Sequence, residues 1–153
     1  MMLKKLLERW IKNKDLLKRE LSIRNGLKDF SYKDLVKLTF EIIYNTSYEG
    51  SWERVNTEEI TEIDNGNYQG TLLFLIPFDE YEPSEYEYLM TYVGYGSCCG
   101  CDTLLSIQSY VDGKLTPDQV NLFVDLCKDI ICNTIKPYNS GWRKDDEFAV
   151  VEV

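Results

Sequence analysis

The stretch Tyr95-Gly96-Ser97-Cys98-Cys99-Gly100-Cys101-Asp102 holds three of the chain's five cysteines. Cys98 and Cys101 form a C-x-x-C pair, and Gly96 and Gly100 free the backbone to take positive φ or to approach a ligand closely. The spacing places this stretch between a strand and a helix, where converging backbone N–H groups lower a thiol's pKa. Three chemistries fit. A zinc site would draw on Cys98, Cys101 and Cys127, with Cys99, Cys132 and carboxylates as further donors, because the chain has no histidine. Cys127 and Cys132 are set about 140° apart on a helix, so both cannot readily face one metal. A thioredoxin-type dithiol would use Cys98 as nucleophile and Cys101 as its partner, although a hairpin rather than a βα unit precedes the motif. The third reading is structural: small buried cysteines with Gly96, Gly100 and the capping Asp102 make a tight strand-to-helix corner. Zinc is the only cofactor that any of these readings needs.

A second constellation is acidic and aromatic. Asp79, Glu80, Glu82, Glu85 and Glu87 alternate with Tyr81, Tyr86 and Tyr88. The spacing does not match a calcium loop, so the run reads as a wet face or as a partner surface. In the second case Tyr81, Glu82, Glu85, Tyr86 and Glu87 would meet a basic protein, imitating the charge of a nucleic acid. Charge is uneven along the chain: residues 1–37 carry eleven Lys and Arg against five acids, whereas residues 41–87 carry twelve acids and only Arg54 as a base. The basic residues of the first helix, Lys4, Lys5, Arg9, Lys12, Lys14, Lys18 and Arg19, are expected on its solvated face.

Composition removes several functions. A formal charge of −9 disfavours duplex nucleic acid and anionic membranes as direct partners. Absent histidine removes imidazole as base, shuttle or metal ligand, and leaves Ser97 a poor nucleophile. Glu8, Arg9, Lys12, Lys14 and Asp15 interrupt any signal-peptide core, and the apolar run Leu72–Phe78 is too short to cross a bilayer. An odd number of cysteines without a disulfide framework points to a reducing cytoplasm.

These residues need a scaffold, and 153 residues with 44% hydrophobic content suffice for a single domain spanning 1–153. Residues 1–45 read as helical: Leu3, Leu6, Leu7, Trp10, Ile11, Leu17 and Leu21 recur at helical spacing until Asn25-Gly26. Ser31 and Asp34 open a second helix running to about Tyr44. Residues 59–95 read as sheet. Ile60–Ile63, a turn at Asp64-Asn65-Gly66-Asn67 and Tyr68–Ile76 form a hairpin, and Glu87–Tyr95 a third strand. Leu72–Ile76 lacks alternation, as in a strand covered on both faces. Pro77 and Pro83 should stop pairing. Residues 102–135 hold two helices, one capped by Asp102 and one opened by Thr116-Pro117-Asp118-Gln119. Residues 136–153 form a tail whose Phe148–Val153 could add an edge strand. The fold class is α+β: a mainly antiparallel sheet of three to four strands with two N-terminal and two C-terminal helices.

The segments Tyr68–Pro77 and Tyr88–Leu104, with Tyr95-Gly96-Ser97-Cys98-Cys99-Gly100-Cys101-Asp102-Thr103-Leu104 at their end, resemble a group of small proteins of unassigned activity from bacteriophages and related mobile elements. Their loop commonly reads Y-G-S-C-S-G-C-D-T-L, and the likeness covers roughly 60–135. Cys99 stands where a serine is usual. The resemblance implies a phage accessory protein working inside a bacterial cell and draws attention to Cys98, Cys101 and Asp102. The expected function is capture of a host or phage macromolecule, interfering with nucleic-acid handling or defence. A thiol-dependent redox protein or enzyme, or a zinc-stabilised module, is the alternative.

Overall fold

The computed structural model describes residues 2–46, 54–66, 70–79, 88–96 and 102–136. Four α-helices, α1 (Met2–Ile23), α2 (Tyr32–Thr39), α3 (Thr103–Gln108) and α4 (Pro117–Cys132), accompany three strands, β1 (Thr61–Gly66), β2 (Gly70–Pro77) and β3 (Tyr88–Tyr95). The sheet is antiparallel in the order β1-β2-β3, so the class is α+β. No described helix is long and apolar enough to cross a membrane.

Local signals start and stop the helices. Reciprocal capping boxes open α2 at Ser31/Asp34 and α4 at Thr116/Gln119, and Pro117 supplies the first-turn proline of α4. Gly26 takes φ 83° just past α1, a conformation that lets the chain turn back toward α2. Leu6, Trp10, Leu17 and Leu21 bury one stripe of α1. Asn13 occupies the same stripe and spends its amide on the carbonyl of Ile43 at 3.2 Å. Against this stripe pack α4, with Val120, Phe123, Leu126, Cys127, Ile130 and Ile131 buried, and the segment after α2.

That segment departs from the expected continuous helix. The α-helical pattern ends at Thr39 and a π turn follows over Phe40–Asn45. Phe40, Ile42, Ile43 and Tyr44 are all buried; the wider turn rotates less per residue and so keeps neighbouring side chains on the inner side. It also brings Asn45 to Val55, whose N–H and C=O both bond the Asn45 side chain, at 2.9 and 3.0 Å.

The hairpin forms, but β1 runs through Asp64-Asn65-Gly66, which the sequence assigns to the turn. Gly70 closes the register opposite Gly66: a Cβ there would lie 2.6 Å from the Asn65 carbonyl oxygen, so only glycine fits. Pro77 does pair, opposite Tyr88. Its carbonyl accepts from Asn56 N–H at 2.8 Å, which turns its nitrogen away from β3, so the missing N–H breaks no bond with that strand. The expectation of a strand covered on both faces is also corrected. Phe74 and Ile76 are fully buried, whereas Leu73 and Leu75 on the other face are half-buried and lie outside the core.

One threonine joins sheet to helix: Thr91 on β3 donates to the carbonyl of Ile130 at 2.7 Å, and the same carbonyl accepts from Thr134, just past the end of α4, at 2.8 Å. Beyond α4, Ile135 bonds Met90 in both directions at 2.8 Å, which occupies part of the free edge of β3. The segment expected as an edge strand, Phe148–Val153, lies outside the described residues. A one-sided sheet makes a quantitative prediction. Phe74→Ala should cost about 3–5 kcal/mol in urea unfolding, and Ile63→Ala, on the opposite face, about 0.5 kcal/mol. Similar losses would mean that both faces are packed.

Candidate functional site

The carboxylate of Asp102, which is 5% exposed, accepts three hydrogen bonds. Its Oδ1 accepts from the Tyr32 hydroxyl at 2.8 Å and, as the N-cap of α3, from Leu105 N–H at 3.0 Å. Its Oδ2 accepts from Gly96 N–H at 2.9 Å. Tyr32 in turn accepts from Leu104 N–H at 3.1 Å. One buried side chain therefore ties the end of β3 to the start of α3 and to the first turn of α2. Burial raises the Tyr32 phenol well above its usual pKa; the Leu104 N–H partly opposes this and the Asp102 carboxylate adds to it.

Gly96 and Asp102, two of the three residues singled out as the framework of the cysteine loop, are thus bonded to each other across that loop. The third, Gly100, lies outside the described residues, as do Ser97, Cys98, Cys99 and Cys101. A second anchor lies farther along α3, where Gln108 donates to the carbonyls of Leu27 and Phe30 at 2.9 and 2.7 Å. The corner is fastened to the loop between α1 and α2 as well as to the sheet.

Cys127, the proposed third thiol of a zinc set, is fully buried on α4, where burial pushes its thiol up to about 12 and a hydrogen bond with Thr39 partly offsets that. Thr39 ends α2 and Tyr32 begins it, about 10 Å apart along the helix axis, so Cys127 and Asp102 meet α2 at opposite ends. Cys132 is half-buried, and desolvation raises its thiol too. Among the described residues, no group of three or more acidic or cysteine side chains could hold a metal ion.

The acidic constellation is only partly in view. Tyr81, Glu82, Glu85, Tyr86 and Glu87 lie outside the described residues. Both ends of their segment are placed. Pro77 pairs with Tyr88, Val55 bridges Phe78, and Asp79 N–H donates to the Arg54 carbonyl at 2.7 Å. Glu58, Glu59 and Glu62, all exposed, stand at the same end of the sheet, because Thr61 pairs with Leu75 only two residues before Pro77. Lys37 neutralises part of this charge through a 2.6 Å bridge to Glu58.

The sequence reading places a strand at Ile60–Ile63 but misses how open β1 is. All six of its residues are exposed, including Glu62 and Asp64, which are on the same side of the sheet as buried Phe74 and half-buried Leu72. β1 overhangs the core. The signal was present in Thr61-Glu62-Ile63-Asp64-Asn65-Gly66, which has one apolar residue in six. Tyr95 reaches across β2 to bond Asp64 at 2.6 Å, and that bond is the main reason its phenol rises to about 12. Arg9 corrects another expectation: it is not on the solvated face of α1 but buried, 4.0 Å from the centre of the Tyr44 ring. Lys4, Lys5, Lys12, Lys14, Lys18 and Arg19 are exposed as expected.

These features define the class: an α+β protein whose three-stranded antiparallel sheet carries its helices on one face. Compared with family models, curated proteins and solved structures, the chain matches none.

Two predictions follow from the buried groups. Asp102→Ala strands three donors and should cost about 3 kcal/mol or more, whereas Tyr32→Phe should cost about 1–2 kcal/mol. In a double-mutant cycle by urea unfolding, a coupling below about 0.5 kcal/mol would break the link between them. The second prediction concerns Cys127, which keeps its proton to about 12 in the folded chain against 9.0 for an ordinary thiol. The native state then holds the proton more tightly, so this contribution is full below pH 9.0 and is lost as pH rises toward 12. Cys127→Ala should lower stability at neutral pH and flatten that alkaline decline; equal slopes in the two proteins would place the thiol in water.

Proposed function

We propose that this chain is a non-enzymatic, phage-encoded accessory protein that acts in the host cell. It captures a basic protein engaged in nucleic-acid handling or defence through its acidic, tyrosine-bearing end. The observation that supports this reading is the acidic end of the sheet: Glu58, Glu59 and Glu62 are exposed there, beside the paired Pro77 and Tyr88 that flank the sequence bearing Glu82, Glu85 and Glu87, and β1 is exposed throughout. Concentrated negative charge steers a basic partner and repels nucleic acid itself. The buried ionisable groups support the same reading. The Asp102 carboxylate is occupied by three donors, and the Cys127 thiol is held protonated in the core.

The test is capture of basic proteins from a bacterial extract at low salt by the wild-type chain and by Glu82→Lys/Glu85→Lys/Glu87→Lys, once equal melting temperatures show that both fold. Wild type should retain basic proteins that are released as salt rises, and the variant should lose them. An identical set of captured proteins would reject the acidic surface.

A further inference from the structure

We infer that β1 is a strand-addition site that takes an extended basic segment of the partner as a fourth strand; this rests on the partner-binding reading above. Among the described residues, β1 is an outer strand paired on one side only, with all six residues exposed. Such an edge is ordinarily blunted by charged side chains, proline or a bulge. β1 has no proline, and its pairing runs one for one from Thr61↔Leu75 to Gly66↔Gly70; its charges, Glu62 and Asp64, are both acidic and so repel an acidic strand but not a basic one. The opposite edge differs, since Ile135 and Asn133 bond the backbone of Met90 and Tyr92 on β3.

The phase of the ladder shows which backbone groups are open. In a strand, the N–H and C=O of one residue point to the same side and successive residues alternate. The Pro77 carbonyl bonds Asn56, and Met90 and Tyr92 bond outward from β3. Odd-numbered residues of β2 therefore face β1. Through the register, Thr61, Ile63 and Asn65 bond β2, and the N–H and C=O groups of Glu62, Asp64 and Gly66 face the open edge.

The side chains specify the occupant. On one face, Glu62 and Asp64 favour Lys or Arg at alternate positions of an added strand. On the other, Ile63, Leu73 and Tyr92 form one cross-strand row, with Ile63 43% and Tyr92 47% exposed, and this row continues onto apolar residues of the same strand. A second copy fits badly, because antiparallel β1–β1 pairing about a two-fold normal to the sheet sets Glu62 and Asp64 against their own copies. The chain's own residues 137–153 also fit badly. They carry four acids against Arg143 and Lys144, and the described chain leaves by Ile135 at the β3 edge.

The test uses the full ¹⁵N-labelled chain and a capped peptide of about ten residues in which lysine alternates with valine and threonine, the strand pattern that adds to an edge. Amide exchange at Glu62, Asp64 and Gly66 should slow about tenfold or more on binding. A glutamate version of the peptide, or one N-methylated at alternate residues, should give no slowing. Equal binding of the N-methylated peptide would reduce the contact to charge and overturn strand addition. So would slowing on β3 instead of β1. A peptide-free dimer by sedimentation with protected β1 amides would assign the edge to a second copy. Protection that disappears on deletion of 137–153 would assign it to the chain's own tail; either result overturns the inference. The two proposals fail separately. Failure of the peptide to protect β1, with capture lost in the Glu82/Glu85/Glu87 variant, overturns strand addition alone, whereas protection with capture unchanged in that variant overturns the acidic-surface reading alone.

Discussion

A single buried carboxylate coordinates the parts of this molecule that are far apart in sequence. Asp102 caps α3 locally, a bond that any N-cap aspartate makes. Its other bonds are not local: Gly96 closes the loop between sheet and helix, and Tyr32 lies 70 residues away. Burying a carboxylate is costly unless its lone pairs are met, and here three donors meet them. The same requirement makes the corner specific. A helix packed with another rotation about its axis would keep its apolar contacts in part but lose Tyr32 or Gly96 as a partner, which leaves a buried charge short of donors.

The second constraint is the mismatch in width between the helical layer and the sheet. Helices cover β3 and the inner face of β2 through Thr91, Leu89, Phe74 and Ile76. β1 projects beyond them, so Glu62 and Asp64 are solvated although their parity places them on the covered side. This overhang leaves one strand with charged side chains above, an apolar row below and open backbone at its edge. Part of the charge asymmetry of the sequence becomes spatial: Lys4, Lys5, Lys12, Lys14 and Lys18 are exposed on α1, and Glu58, Glu59, Glu62 and Asp64 are exposed on and just before the sheet's outer strand.

Near-neighbour physics could be read directly from residue order. The capping boxes at Ser31 and Thr116, the proline opening α4, the Asp102 cap and the stripe of α1 depend on contacts within three or four positions. So does the antiparallel hairpin, although its turn comes after Gly66 instead of at Asp64, because pairing with β2 recruits the polar residues as strand. The π turn at Phe40–Asn45 could not be read in this way, since it answers the shape of the core: four apolar residues in five must all face inward.

The candidate site divides along the same line. The cysteine loop and its acidic neighbour were visible as unusual composition, and Gly96 with Asp102 as the framework of a corner. Tyr32 as their partner, Arg9 as a buried cation against Tyr44 and β1 as an open edge were not visible. Each results from the packing of distant segments, which no local spacing encodes. Sequence by itself determined the α-helices and the hairpin, where the helices begin and the buried stripe of α1, because those follow from short-range hydrogen bonding and periodicity. Tertiary structure alone decided where those rules give way, at the π turn, at Arg9 and along β1, because burial there depends on how far one layer extends over another.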